Sequence, residues 1–125
     1  MQEEIKDPAL SYVLANIDKM LVPTLLFLLY QKPSHGYELI QKIHEYKYHD
    51  VEADPATVYR NLRRMEEDGL VISKWQTGQS GPARRSYELS PAGEEALSRC
   101  VEVIDSKVQK LQTFLNDYYL EVRGK

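Results

Sequence analysis

Apolar positions along this chain fall at two spacings, helical for most of its length and alternating in one short central stretch. The most regular run is the last. Leu97, Ile104, Leu111 and Tyr118 recur every seven residues, and Val101, Val108, Leu115 and Val122 repeat the interval with an offset of four. That unbroken 4-3 alternation over more than three heptads is the spacing of a coiled-coil seam. Ser90 and Pro91 supply a start signal, so one long helix is predicted from there to about Arg123. A small globular head leaves little to cover such a seam, which points to a homodimer joined along this helix. Packing of the seam on the N-terminal helix of the same chain is the alternative. Val103 and Phe114 widen the apolar face enough for both to hold.

The segment from Asp54 to Gly93 carries the next signal. Asp54 suits a helix N-cap, Pro55 the first helical position and Gly69 the left-handed C-cap. Steps of about 100° place Val58, Leu62 and Met65 in one buried stripe. Ala56, Arg60, Arg63 and Glu67 fall opposite, with Thr57, Tyr59 and Arg64 on the shoulders. Asn61 lies beside the stripe, where a structural hydrogen bond is expected. Leu70 to Gln76 and Arg85 to Leu89 then read as short strands, with Arg85, Tyr87 and Leu89 on one side of the second. Gly78, Gly81 and Pro82 mark the turn between them, and Arg84 and Arg85 sit at its returning shoulder.

Toward the N-terminus, Asp7-Pro8 predicts a cap for a helix through about Lys19. A second helix is expected from Pro23 to Gln31 and is broken by Lys32-Pro33. Ser34 is the candidate cap for a third helix to about Tyr46, with Leu39, Ile40 and Ile43 facing inward. Lys47 to Ala53 links it to the Asp54 helix. Three compact helices and a hairpin would then form one core. The predicted fold class is mainly α with a small β-hairpin (α+β), a winged helix-turn-helix carrying a long C-terminal dimerisation helix. The organisation expected is an N-terminal helix in 1–20, a winged head in 21–89 and the dimer helix in 90–125.

Composition narrows the function. At 125 residues the chain suits one domain with its own core. The net charge is −3, but it is unevenly spread. Residues 1–53 carry five lysines against eight acids, whereas residues 54–93 carry six basic residues against five acids. Five of the seven arginines lie in that central block: Arg60, Arg63, Arg64, Arg84 and Arg85. A basic helix followed by a basic hairpin can grip double-stranded DNA, the helix in the groove and the wing on phosphate. Arginine suits phosphate because its planar fork donates two parallel hydrogen bonds. A solvated helix face and a merely solubilised hairpin edge are the bland readings, and neither explains why both occur in succession.

Other chemistries find less support. His35, His44, His49, Asp50 and Cys100 are the candidate metal ligands, but His44 and His49 are five apart, off the spacing that aims two ligands from one helix. No metal or cofactor is expected. Phosphate-binding glycine loops, nucleophile elbows and paired carboxylates are absent from the sequence, so an enzyme is not expected. The single cysteine excludes an internal disulfide and favours a reducing cytoplasm, with Cys100 as a small buried hydrophobe beside the seam. Met20 to Tyr30, the longest apolar run, is too short to span a bilayer and has no basic leader before it, so no membrane partner is expected. The serious rival is a winged-helix protein-interaction module without DNA binding.

Three motifs then carry a resemblance. HGYEL at His35–Leu39, ATVYRNLRRMEEDGLV at Ala56–Val71 and GPARRSYELSPAG at Gly81–Gly93 resemble the PadR family of transcriptional regulators. The resemblance runs from about Leu21 to the C-terminus and is closest to the compact subgroup with a single C-terminal helix. It implies a winged-helix homodimer, usually a repressor, acting on an inverted-repeat operator. The same resemblance makes Asp54–Asp68 the recognition helix, places Tyr37 and Tyr59 near the DNA backbone and identifies Arg84 and Arg85 with the basic wing. Ala56, Thr57 and Arg60 are the expected base contacts, and Arg63 and Arg64 the expected phosphate contacts. An apolar or aromatic small-molecule effector is implied as a possible partner. The tryptophan that some compact members use between dimer helices has no counterpart there, since Trp75 lies on the wing strand.

Overall fold

In the computed structural model, which describes residues 7–46, 54–76, 81 and 83–124, the heptad pattern becomes a single helix of 33 residues. Five α-helices and three strands follow in the order α1 (Pro8–Ala15), α2 (Leu21–Gln31), β1 (Ser34–His35), α3 (Gly36–Glu45), α4 (Pro55–Glu67), β2 (Val71–Gln76), β3 (Arg84–Leu89) and α5 (Pro91–Arg123). A one-turn 3-10 helix, Ile17–Lys19, separates α1 from α2. The Lys47–Ala53 linker and the turn residues Gly78 and Pro82 lie outside the described residues.

Strands β2 and β3 each begin one residue from the expected start, and three helix boundaries differ from the sequence expectation. The first helix stops at Ala15 rather than Lys19, because Asn16 leaves helical geometry and turns its side-chain amide back onto the Tyr12 carbonyl at 2.7 Å. Met20 then adopts a left-handed conformation, φ 63°, and α2 starts at Leu21, two residues before Pro23. Ser34 is not the cap of α3. It pairs with Tyr87 in a two-residue strand, and His35 takes the cap position. There the Glu38 carboxylate accepts the His35 backbone N–H at 2.9 Å and meets its ring Nδ1 at 2.6 Å. Those two contacts hold the Glu38 carboxyl below the ordinary carboxylate range.

The sheet order is β1-β3-β2, antiparallel throughout. Leu25, Leu26, Leu39, Val58, Leu62 and Met65 are sealed from solvent at its side, each such burial worth about 1.5–3 kcal/mol. The core also takes residues beyond the three helices and hairpin expected. Ala9, Val13 and Ile17 enter it from the N-terminal segment, and Ala96 and Cys100 from the first turns of α5. Cys100 has no exposed surface, and burial pushes its thiol up to about 11.

The join between head and long helix is tight. Gly69, at φ 77°, ends α4 in a paired C-cap: its N–H donates to Glu66 O at 3.0 Å and that of Leu70 to Met65 O at 2.9 Å. Ser90 Oγ donates to the Gly69 carbonyl at 2.6 Å and accepts the Gly93 N–H at 3.0 Å, while the Ser90 N–H donates to Leu70 O. Gly93 is required by proximity, since a Cβ there would lie 2.2 Å from the Leu70 carbonyl oxygen. Beyond this join the helix leaves the head. Leu97, Val103 and Ile104 are half-buried against the core, and every described residue from Asp105 onward is exposed.

Gly93→Ala should therefore cost about 1–3 kcal/mol by overpacking against backbone that cannot yield. Gly69→Ala, with open space around its Cβ position, suffers only left-handed strain of about 1–2 kcal/mol. Urea unfolding of the two variants checks this: Gly93→Ala should be the more costly, and a smaller loss there than at Gly69 would show that the Leu70 contact is unimportant. For Cys100, a raised thiol pKa means that the folded state holds the proton more tightly. Its contribution to stability is complete below the ordinary value of 9.0 and is lost as pH rises toward about 11. At pH 8 a thiol reagent should label the native chain only as fast as it opens, and prompt native labelling would contradict the buried placement.

Candidate nucleic-acid interface

Helix α4 presents its polar side because its cap and its apolar stripe fix its rotation. Asp54 accepts the Thr57 N–H at 3.1 Å and the Thr57 hydroxyl at 2.6 Å, bonds that lower the Asp54 pKa. Val58, Leu62 and Met65 are buried, which leaves Ala56, Tyr59, Arg60, Arg63 and Glu67 exposed and Thr57 half-buried. Among the described residues no carboxylate pairs with Arg60 or Arg63, so both guanidinium groups are available to an anion. Asn61 is held structurally: its Nδ2 donates to Thr57 O at 2.8 Å and its Oδ1 accepts the Tyr12 hydroxyl. Burial raises the pKa of that tyrosine, which keeps the phenol protonated as the donor.

Arg64 and Arg85 have intramolecular partners that the sequence pattern did not reveal. Arg64 Nε donates to Asp68 Oδ2 at 2.9 Å, and its guanidinium lies 4.8 Å from the centre of the Tyr12 ring. The Asp68 contact raises the Arg64 pKa. Arg85 reaches Glu66 Oε1 at 3.4 Å and donates to Ser73 Oγ at 3.0 Å, with its guanidinium 5.6 Å from the Trp75 ring centre. The Ser73 hydroxyl in turn donates to Glu66. Arg85 thus braces the hairpin against the last turn of α4. The Asp68 signal for Arg64 was present at i, i+4, whereas the Arg85–Glu66 pair depends on how the hairpin folds back and has no local signature.

Arg84 is placed differently. It pairs with Gln76 across the hairpin, and its Nη1 donates to the Tyr37 hydroxyl at 3.1 Å with the guanidinium 5.2 Å from that ring's centre. Tyr37 stacks beside His35 at 6.3 Å. The next residue inward is Gly36, whose missing side chain is the seat of Tyr59: a Cβ at Gly36 would lie 2.3 Å from that ring. Tyr37 and Tyr59 are 46% and 40% exposed. The exposed side chains therefore follow one another from Arg84 on the wing through Tyr37 and Tyr59, whose ring covers the buried Gly36, to Arg60 and Arg63 on α4. Together they are polar, aromatic and cationic, with donors suited to anionic oxygens. Among the described residues no cluster of three or more metal-binding side chains is present, and no helix is long and apolar enough to cross a membrane.

The seam positions fall on α5 away from this surface. Leu97 and Ile104 are half-buried on the head, while Val101, Val108, Leu111, Leu115, Tyr118 and Val122 are all exposed. Phe114, Tyr119 and Leu120 add exposed apolar area outside the strict seam.

Known proteins share both the sequence and the shape. A match of 41% identity over 64 residues links the chain to the transcriptional regulator Rv3488 of Mycobacterium tuberculosis, covering 51% of this chain and 56% of that protein. The matched part is thus little more than half the length of that curated relative. A PadR family regulator from Eggerthella lenta superposes with a TM-score of 0.69 at 27% identity, over 84% of this chain and 89% of its own. Bacillus subtilis PadR, solved in complex with operator DNA, shares the fold with a TM-score of 0.60 at 18% identity, over 66% of this chain and 46% of its own. Residues 25–99, from α2 into α5, match the transcriptional regulator PadR-like family, and with well over half its length so matched the chain belongs to that family of regulators rather than to any class of enzyme.

Proposed function

We propose that this regulator binds an inverted-repeat operator as a homodimer, each α4 entering a major groove and each wing holding adjacent phosphate. The observation that carries this reading is the succession of exposed cationic and aromatic side chains at Arg84, Tyr37, Tyr59, Arg60 and Arg63. That a protein of the same fold was solved in complex with operator DNA supports a DNA partner. Ala56 and Thr57, at the helix N-terminus, suit contact with a thymine methyl, and Arg60 suits a guanine edge. Arg63 and Arg84 suit phosphate, which fixes position without reading sequence. Arg64 and Arg85 reach DNA only by exchanging their carboxylate partners for phosphate, which exposed ion pairs permit. Repression by occlusion, release by a small-molecule effector and a cytoplasmic setting complete the proposal.

The dimer reading rests on α5. Six of its eight seam positions are exposed within the single chain, and the described part of the N-terminal segment shares a core with the first turns of the helix at Ala96 and Cys100. A bare helix with a continuous apolar stripe gains most by pairing with a second copy of itself, since each buried apolar side chain contributes about 1.5–3 kcal/mol. Two half-sites about 34–36 Å apart would then match two heads held by one coiled coil.

Binding-site selection followed by salt titration tests the interface. Arg60→Ala should cost about 1–3 kcal/mol on the selected site and relax preference at one base pair per half-site. Arg84→Ala should weaken all sequences alike and lower the salt slope by about 0.9 per wing, whereas Arg85→Ala should change the slope less. An unaltered motif for Arg60→Ala would make Arg60 a backbone contact, and an absence of DNA binding in the folded wild type would favour a protein-interaction module.

Assembly is tested separately. Ile104→Asp combined with Val108→Asp places charge in the seam, which costs several kcal/mol without a partner. The folded variant should sediment as a monomer and lose specific binding. A wild-type chain that is monomeric at about 10 μM, a concentration corresponding to weak association, would count against the coiled coil.

A further inference from the structure

His35 stands beside the corner of the interface made by Tyr37 and Arg84. It ends β1 opposite Ser86 of β3 and takes the cap position of α3. Its ring lies 6.3 Å from that of Tyr37, with the planes 25° apart, and the Tyr37 hydroxyl accepts from Arg84. The phenol's own proton is therefore free for an anion held at the guanidinium. The imidazole is partly exposed, and its Nδ1 meets Glu38 Oε1 at 2.6 Å. Glu38, held below the ordinary carboxylate range by its His35 contacts, is ionised near neutral pH and can only accept, so Nδ1 carries a proton. No described residue pairs with Nε2 on the other edge of the ring, and that atom keeps solvent access. The other charged or titratable neighbours are Lys32 ahead of β1, Arg84 on β3 and Tyr59 of α4, seated over Gly36. None of these is a carboxylate, which leaves Nε2 to an anion from outside the chain. Among the described residues His35 belongs to no cluster of three metal-binding side chains.

We propose that His35 is a DNA-binding residue that donates its Nε2–H to a backbone phosphate, does so only as the imidazolium, and so makes DNA binding take up a proton at each head. The proposal rests on the DNA reading above and adds to it a contact and a dependence on pH. Glu38 sets the rule by holding a proton on Nδ1. A neutral ring so held keeps the lone pair on Nε2, an acceptor that repels phosphate oxygen, whereas both nitrogens of the imidazolium donate. Without that lock, a neutral ring could adopt the other tautomer and donate from Nε2 at any pH. The phosphate would be shared with Arg84 and the Tyr37 hydroxyl, and it would offset the repulsion between two neighbouring cations. A contact of this kind adds affinity without reading sequence. Linkage is reciprocal: whatever factor protonation adds to DNA affinity, DNA adds to that of the ring for its proton.

The test measures DNA affinity of the full chain by anisotropy at about pH 6 and about pH 8, which span the usual histidine transition. Ionic strength is held constant, and the selected site is compared with a duplex of unrelated sequence. The wild type should bind both duplexes about tenfold or more tightly at the lower pH, since a charge-assisted bond is lost from each head at the higher. His35→Asn, which keeps a capping side chain without a charge, should bind at both pH values as the wild type does at about pH 8. His44→Gln, in the exposed last turn of α3, should retain the wild-type response. Calorimetry of the wild type in buffers of different ionisation heat needs no variant and should show proton uptake on binding near neutral pH, at most about one proton per head. Equal affinity of the wild type at both pH values, binding without proton uptake, or a pH response that survives in folded His35→Asn overturns the proposal. A folded His35→Asn that binds more weakly than the wild type at about pH 8 also overturns it, because the neutral ring contributes nothing there. A wild type that binds no DNA at either pH overturns the DNA reading and the proposal together.

Discussion

One serine hydroxyl sets the geometry on which the rest depends. Ser90 Oγ donates to the carbonyl of Gly69, which closes α4, and accepts from Gly93 in the first turn of α5. The end of the polar-faced helix and the start of the long helix are thereby satisfied by the same side chain, with the Leu70 backbone pressed into the gap at Gly93. Unpaired helix-end groups would each carry a desolvation penalty if buried. Meeting both needs at one residue removes the freedom of a linker. The orientation of α4 is therefore inherited from α5, and any displacement of the long helix is transmitted without a flexible joint between them.

A second constraint acts on the middle and last turn of α4. The Tyr12 hydroxyl donates to Asn61, and the Tyr12 ring underlies Arg64. Helix α1 buries Ala9 and Val13 in the core, with Tyr12 and Leu14 packed partly against it and Ile17 just beyond. Its polar hold on α4 runs through Tyr12. Helix α4 is thus held at its C-terminal stop through Ser90 and along its second half through Tyr12, which leaves its first turn, with Ala56 and Thr57, fixed by the Asp54 cap.

Much of this was legible in the residues. The Asp54 cap, the Val58–Leu62–Met65 stripe, the Gly69 stop and the extent of α5 follow from local chemistry, and local chemistry is what a sequence displays. The departures share a cause. Strand β1 is two residues long, so Ser34 and His35 carry no alternation to read, and their pairing with Tyr87 and Ser86 is a long-range event. The break at Asn16 and Met20 looked like continuous helix because neither residue is a strong breaker. The Arg85–Glu66 and Tyr12–Asn61 pairs join segments remote in sequence or brought together by the hairpin. Arginine count and location were readable, but which arginines are braced and which are free was not.

That two-residue strand also decides how the head comes into being. Its partner strand lies some fifty residues downstream, beyond two helices and the other arm of the hairpin. Closing a loop of such length costs chain entropy that rises with the logarithm of the span, and nothing offsets the cost until the far side of the loop exists. Contacts of this range slow a small domain relative to a helical bundle of equal size. On a ribosome, α2 and α3 emerge well before the strand that seats them. The head is completed only when β3 has been made, and the next residues out, Ser90 to Gly93, are those that lock it.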